Sequence, residues 1–250
     1  MKLSVIMPVY NRERYVVSAL RSLVRQRDAA DLDIIVIDDG STDGSAEAVR
    51  SMMAEYPFIR LFQQENMGVT RARNTGLGLL RPETELVSFL DSDDVSPDGR
   101  FLADIAYFRA DPGLELTYSF MMLADAINDE ALEPEPGSNI VTVRGIHLSA
   151  GIFSRTLIER IGRFDEAFIQ AEDTDFILRV FESGPRFVLP DTVALYYRRH
   201  SGNMTKQTDT SLREFMRAIH RSMRRRKTEP SLHGIEGIFD VKDLANWRFM

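Results

Sequence analysis

Apolar residues along this chain follow two patterns. Short, nearly unbroken runs occur at Leu3, Val5, Ile6, Met7 and Val9, at Ile34 to Ile37, at Phe58 to Phe62, and at Leu86, Val87, Phe89 and Leu90. Runs of that length, rich in β-branched residues, read as parallel strands buried on both faces. Between them the spacing changes. Tyr15, Val16, Ala19, Leu20, Leu23 and Val24 recur at helical intervals, as do Ala46, Val49 and Met53, and Asn66 to Gly76 leads into a third helix. Asn11 and Asp43 are placed to cap the first two helices. Strand and helix alternating in this way predict a mostly parallel, doubly wound α/β sheet with helices on both faces and right-handed crossovers.

The pattern continues less regularly. Phe101, Leu102, Ile105 and Phe108 mark a helix, Leu114 to Phe120 a strand, and the acidic, proline-containing segment Asn128 to Asn139 a surface loop. A strand at Ile140 to Val143 and an apolar stretch at Ala150 to Phe153 precede a helix over Arg155 to Ile161. In AEDTDFILRVFESG, Ala171 to Gly184, the residues Phe176, Ile177, Val180 and Phe181 share one helical face. Glu172 and Asp173 fall in its first turn, where the helix dipole favours acid, and Asp175 and Arg179 are spaced for a surface pair. Val188 to Tyr197 gives a last strand or pair of strands.

From Lys206 the character changes. Ser211 and Glu214 have capping-box spacing, and Leu212, Phe215, Met216, Ile219 and Met223 follow on one face. Lys206, Arg213, Arg217, Arg221, Arg224, Arg225, Arg226 and Lys227 oppose only Asp209 and Glu214. This basic amphipathic helix is expected to dock its apolar side on the domain, in preference to meeting a membrane surface through 211–227. The organisation expected is one domain over 1–205, with a nucleotide-binding half to about 95 and an acceptor half after it, and an appendage over 206–250.

Composition narrows the function classes. With 250 residues, 44% hydrophobic and 28% charged, the chain suffices for one substantial core. A net charge of -7 argues against a nucleic-acid partner. The absence of cysteine excludes thiol catalysis and cysteine zinc sites. No stretch has the length of a membrane span, and the first apolar run is too short for a signal peptide, so the expected location is the cytoplasm.

The candidate chemistry lies in LVSFLDSDDVSP, Leu86 to Pro97. If the strand stays extended, Asp91 and Asp93 point to one side and Ser92 to the other. Two carboxylates that close call for a hard divalent cation, Mg²⁺ or Mn²⁺; the plain alternative is a solvated acidic turn. The same sheet rim should carry Pro8 to Asn11 and Asp38 to Thr42, and open α/β sheets bind ligands there. The Tyr10 ring with the Asp38 and Asp39 carboxylates suits a nucleotide. No glycine-rich phosphate loop of either common pattern is present, which leaves the diphosphate to the cation.

Six stretches carry a family resemblance: PVYNRERYVVSAL, IIVIDDGSTDGS, NMGVTRARNTG, VSFLDSDD, GRFDEAF with AEDTDFILR, and YYRRHSGN. Their order and spacing resemble glycosyltransferase family 2, inverting enzymes with the GT-A fold, over about Lys2 to Thr205. The resemblance implies Pro8, Tyr10 and Asp39 around the nucleobase, and Asn66 and Arg73 near base and diphosphate. It implies Asp91, with Ser92 beside it, at ribose and donor sugar, and Asp93 as the metal ligand. His200 would approach the metal or diphosphate. Asp173 matches the catalytic base, supported by Glu172, while Asp38 supports the base site. Glu172 and Asp175 should raise the basicity of Asp173. The implied donor is a nucleotide-diphospho-sugar, of uridine type first, and the acceptor a glycan or lipid-linked hydroxyl. Without the Q-x-x-R-W signature of processive synthases, one sugar per encounter is expected. The competing reading is a nucleotide-sugar binding module without catalysis; phosphoryl chemistry is set aside because Asp91 to Asp94 lacks the D-x-D-x-T pattern.

Overall fold

A computed structural model describes residues 1–200, 202–203 and 208–241. Lys206 and the boundary expected at 205 lie outside the described residues. The first half alternates β1 (Lys2–Val9), α1 (Val16–Val24), β2 (Asp31–Asp38), α2 (Ser45–Glu55), β3 (Ile59–Gln63), α3 (Val69–Gly78) and β4 (Leu86–Phe89). These strands pair in parallel in the order β3-β2-β1-β4. Period-two alternation then explains their unbroken apolar runs. Leu3, Val5 and Met7 face one core with Ile34 and Val36, while Ile6 faces the other with Ile35 and Ile37. Gly76 of α3 lies so close to β1 that a Cβ there would meet Ile6 Cγ2 at 2.5 Å.

The second half adds α4 (Arg100–Ala110), β5 (Leu116–Tyr118), β6 (Phe120–Ala124), β7 (Ile127–Asn128), β8 (Glu133–Pro134) and β9 (Ile140–Arg144). After them come β10 (Gly151–Ser154), α5 (Arg155–Ile161), α6 (Glu172–Glu182), β11 (Phe187–Val188), β12 (Val193–Arg198), α7 (Thr208–Thr228) and β13 (Asp240–Val241). The main sheet runs β11-β5-β10-β4-β1-β2-β3, with β10 antiparallel to both neighbours. A second sheet runs β12-β6-β9-β13. Helices α1, α2 and α4 supply one core, α3, α5 and α6 the other.

Several expectations are corrected. Asn11 does not cap α1, which starts after Tyr15; it takes a left-handed backbone (φ 51) and its Oδ1 accepts from Thr42 N–H at 2.8 Å, tying the β1 loop to the β2 loop. A short amide tolerates that conformation. The single strand expected over Leu114 to Phe120 is two, because Ser119 N–H turns to the Ala150 carbonyl and sends β5 and β6 into different sheets. The expected loop over Asn128 to Asn139 contains one arm of the β7–β8 hairpin, and Leu132 within it is buried with Val95, Ala124 and Ile127. Asp43 serves α2 from one position before its cap Gly44, accepting from Ser45 N–H at 3.0 Å.

The orientation of α7 departs most. Its apolar residues Leu212, Phe215, Met216 and Met223 are exposed, and the helix docks through its polar side. Arg225 donates to Glu182 Oε2 and Asp175 Oδ1, each at 2.7 Å, Arg221 pairs with Asp165, and Arg217 donates to the Ala167 carbonyl at 3.1 Å. The reason lies in the surface it meets. Asp175 and Glu182 are buried, and an apolar helix face laid on them would remove a counter-charge, at about 3–5 kcal/mol for a broken buried pair. Arg217, Arg221 and Arg225, spaced four apart, fall on the far side of the helix from the apolar stripe, so both cannot face the domain. Asp175 is accordingly no surface residue: it takes Arg179 at 2.8 Å from one side and Arg225 from the other. Ser211 is inside the helix rather than at its cap, and donates to Gln170 Oε1 at 2.6 Å.

Replacing Arg225 by Met should lower unfolding free energy by about 3 kcal/mol, the low end for a broken buried pair because Arg179 stays on Asp175. Urea denaturation checks this; a change under about 0.5 kcal/mol, typical of an uninvolved surface site, would contradict the docking role.

Candidate active site

Three loops meet at the carboxyl rim of β1, β2 and β4. From β1 come buried Pro8 and exposed Tyr10, from β2 the buried carboxylates of Asp38 and Asp39. Asp38 shapes its own turn, accepting from Ser41 N–H at 3.1 Å and Gln63 Nε2 at 2.8 Å. Asp39 accepts from Gln64 Nε2 (2.7 Å), Met67 N–H (3.0 Å) and Gly68 N–H (2.8 Å), and so folds the Gln64 to Gly68 loop back over the rim. Gly40 makes that possible: its φ is +75°, and a Cβ would stand 2.8 Å from Asn66 N. Asn66 itself is exposed on this loop.

The third loop follows β4, and here the extended geometry is not kept. Asp94 N–H donates to the Asp91 carbonyl at 3.1 Å, so Asp91 to Asp94 is a tight turn rather than a strand. Alternation therefore fails, and the carboxylates of Asp91 and Asp93 take different partners. Asp91 Oδ1 accepts from Arg73 Nη2 at 2.7 Å, and Arg73 Nη1 pairs with Glu172. Arg73 is almost wholly buried and sits 6.0 Å from the centre of the Phe164 ring. Burial works against its charge, but Asp91, Glu172 and Asp173 outweigh it and raise its pKa. Burial pushes the Glu172 carboxyl up to about 7, against the pull of Arg73 and with repulsion from Asp173. Asp173 itself is partly exposed at the start of α6, its Oδ1 accepting from Thr174 N–H at 2.6 Å.

Asp93 Oδ2 accepts from Arg12 Nε at 2.9 Å and lies 3.0 Å from His200 Nε2. Against the cost of burial, the His200 hydrogen bond and the Arg12 guanidinium hold this carboxyl below the usual range. His200 Nδ1 accepts from Gly202 N–H at 3.1 Å, which leaves the proton on Nε2, and the ring packs 4.8 Å from that of Tyr15. Asp94 is different again. Buried, and repelled by Asp93 and Asp91, its carboxyl is raised well above the usual range despite accepting from Arg198 N–H at 2.9 Å.

Two groupings could hold a divalent cation. Asp93, with His200 beside it, is the one the sequence pointed to. Asp91, Asp94 and His147 bring ligand atoms within 4.8 Å of one another. Their oxygen-rich donors suit Mg²⁺ or Mn²⁺ in either case. Neither histidine presents a free ligating nitrogen as the site stands: Nδ1 of His147 accepts from Ser149 N–H at 3.2 Å as Nδ1 of His200 does from Gly202 N–H, so Nε2 of His147 carries a proton toward Asp91 and Asp94, at 3.7 and 3.8 Å, and Nε2 of His200 one toward Asp93. His200 and Arg12 hold the Asp93 carboxyl below the usual range, in the charged form that ligates a cation.

The rim thus gathers Tyr10, Asp39, Arg73, Asp91, Asp93, Glu172, Asp173 and His200, with Ser92 buried in the β4 turn. Sequence reasoning missed Arg12 and His147. Arg12 stands inside PVYNRERY and its position was legible; its partner, 81 residues on, was not. His147 carries no motif signal.

This arrangement defines the class: a mostly parallel α/β fold with a carboxylate-lined ligand rim at a strand-order switch. Residues 4–120 match the sequence model of Glycosyl transferase family 2, so this segment is a family 2 glycosyltransferase domain. "Glycosyltransferase GlyA" of Streptococcus pneumoniae is 37% identical over 122 residues, covering 48% of this chain and 17% of that protein. The structure of S. aureus TarS 1–349 in complex with UDP-GlcNAc superposes with a TM-score of 0.71 at 23% identity, over 89% of this chain and 65% of that one. Mannosyltransferase PcManGT from Pyrobaculum calidifontis, in complex with GDP-Man and Mn²⁺, gives 0.67 at 20% identity, over 89% and 64%. The chain spans less than two thirds of each of these proteins.

A carboxyl raised by folding binds its proton more tightly in the native than in the unfolded state, so its contribution is present below the unfolded value near 4.5 and lost as pH rises through about 7. Glu172→Gln should therefore gain stability relative to wild type between pH 5 and pH 8. Urea midpoints at both pH values check this; a constant difference would contradict it.

Proposed function

We propose that this chain is a metal-dependent inverting glycosyltransferase. It moves one sugar per encounter from a nucleotide-diphospho-sugar to a hydroxyl of a glycan or lipid-linked acceptor, in surface polysaccharide or glycoconjugate synthesis. The observation that carries this reading is the Arg73 bridge from Asp91 to Glu172, because it sets Asp173 on the same rim as the acidic turn. The bound UDP-GlcNAc of the TarS structure and GDP-Man with Mn²⁺ of PcManGT support the donor class and cation. We take the uridine type as the first donor to test. Residues up to about 95 form the donor half, those after it the acceptor half, and those from 206 the appendage. The enzyme works in the cytoplasm, at or near the inner face of the cell membrane.

In this reading the nucleobase lies against the Tyr10 ring beside Pro8, within the loop that Asp39 folds and where Asn66 is exposed. Asp38 holds the turn beneath it. Asp91, oriented by Arg73, and the adjacent Ser92 meet ribose and sugar. Asp93 would hold Mn²⁺ or Mg²⁺, and a cation bound there would supply Lewis-acid stabilisation of charge on the departing diphosphate. His200 Nε2–H is placed to donate to the diphosphate. Asp173 takes the acceptor proton as the hydroxyl oxygen bonds to the anomeric carbon. The bond from that carbon to the diphosphate oxygen breaks with its electron pair on the leaving group, inverting the centre. No covalent enzyme intermediate forms.

General-base assistance of this kind is worth about 10²–10⁴-fold, so Asp173→Asn should lower kcat by that factor while UDP binding by calorimetry stays unchanged. Equal turnover would contradict the base. Full donor binding by wild type with no turnover on any glycan or lipid-linked acceptor would make the chain a binding module instead. Chelation with EDTA should abolish turnover and Mn²⁺ restore it; undiminished turnover in EDTA would remove the metal.

A further inference from the structure

The side of α7 turned away from the domain has no partner among the described residues. Of the ten large hydrophobic residues exposed among the described residues, four lie on this one helix: Leu212 (63% exposed), Phe215 (39%), Met216 (55%) and Met223 (58%). With Ile219 between them they form one stripe, since residues three and four apart stack along a helix. Ile169 (63%) adjoins its start, because the Ser211–Gln170 hydrogen bond joins the chain neighbours of Leu212 and Ile169.

Charge distinguishes the occupants this stripe could take. At 100° per residue His220, Arg213, Arg224 and Lys227 follow along one flank of the stripe, all exposed, while Arg221 and Arg225 are committed to Asp165, Asp175 and Glu182 behind the helix. Exposed Asp209 shares that flank, and Glu214 faces inward. A cationic margin beside an apolar stripe, on a chain whose net charge is -7, is a local feature and not a general one. It fits the in-plane geometry of an interfacial helix, apolar side among acyl chains and basic side at anionic headgroups.

We infer that the exposed face of α7, with Ile169, is a docking surface for an anionic lipid bilayer. The helix lies in the interface, held to the domain by its half-buried arginine side. Gln170 stands three residues before Asp173, so the contact sets the start of α6 next to the lipid surface. This deepens the reading of an enzyme at the membrane face, but vesicle binding is read without turnover and stands or falls apart from the transfer reaction.

The test is co-sedimentation of the full chain with vesicles of phosphatidylglycerol and phosphatidylcholine, against phosphatidylcholine alone. Wild type should bind the anionic vesicles preferentially. The triple variant Leu212→Ser, Phe215→Ser, Met216→Ser should bind them at least about tenfold more weakly, because binding follows buried apolar area. Its melting temperature should stay near that of wild type, since these side chains are exposed. Arg224→Gln with Lys227→Gln should weaken binding in low salt. Equal binding by wild type and triple variant overturns the inference, as does failure of wild type to sediment with anionic vesicles. A wild-type dimer in light scattering that the triple variant dissolves, without vesicle binding, assigns the face to a second copy and equally overturns it.

Discussion

The buried guanidinium of Arg73 is the interaction on which the site depends. It stands on α3, in the first half of the chain, and ties the Asp91 turn after β4 to Glu172 at the start of α6. Removing a partner from such a group leaves an uncompensated buried charge, which costs about 3–5 kcal/mol, so the three elements hold one relative position. Arg73 is a positioning residue in this sense. Phe164, stacked on Phe176 of α6 at 4.3 Å, closes the other side of the same joint. Apolar packing thus fixes the distance of α6 from the sheet, and the ionic bridge fixes where its first turn points.

Around that bridge, three neighbouring aspartates are given different environments. Asp91 shares Arg73, Asp93 is held ionised by His200 and Arg12, and Asp94 is raised by burial among like charges. A turn at Asp91 to Asp94 separates them, where a continued strand would have aimed two at one point. Division of this kind keeps three neighbouring carboxyls on one turn without all of them having to ionise together.

Elements governed by local periodicity were legible in the sequence. β1, β2 and β4 fill both faces of a parallel sheet, so their apolar runs could hardly mean anything else, and α5 spans the predicted Arg155–Ile161. The rim residues followed from strand ends and from ordered motifs. What escaped were features decided by distant partners. The split at Ser119 depends on the Ala150 carbonyl, the burial of Leu132 on a hairpin, and the partner of Arg12 on a turn 81 residues away. The α7 helix shows the limit best. Its amphipathic pattern was clear, yet which side faces inward was set by the carboxylates of Asp175 and Glu182, whose burial no local pattern announces.

The proposed metal is where the geometry and the family resemblance diverge most sharply, because Asp91 with Asp94 and His147 offers a second grouping that includes both chain neighbours of the Ser92–Asp93 pair. Anomalous diffraction from crystals grown with UDP and Mn²⁺ separates them. The predicted result is a single manganese peak within bonding distance of the Asp93 carboxylate. A peak bonded to Asp91, Asp94 and His147 without Asp93, or UDP bound with no manganese peak, would contradict the assignment.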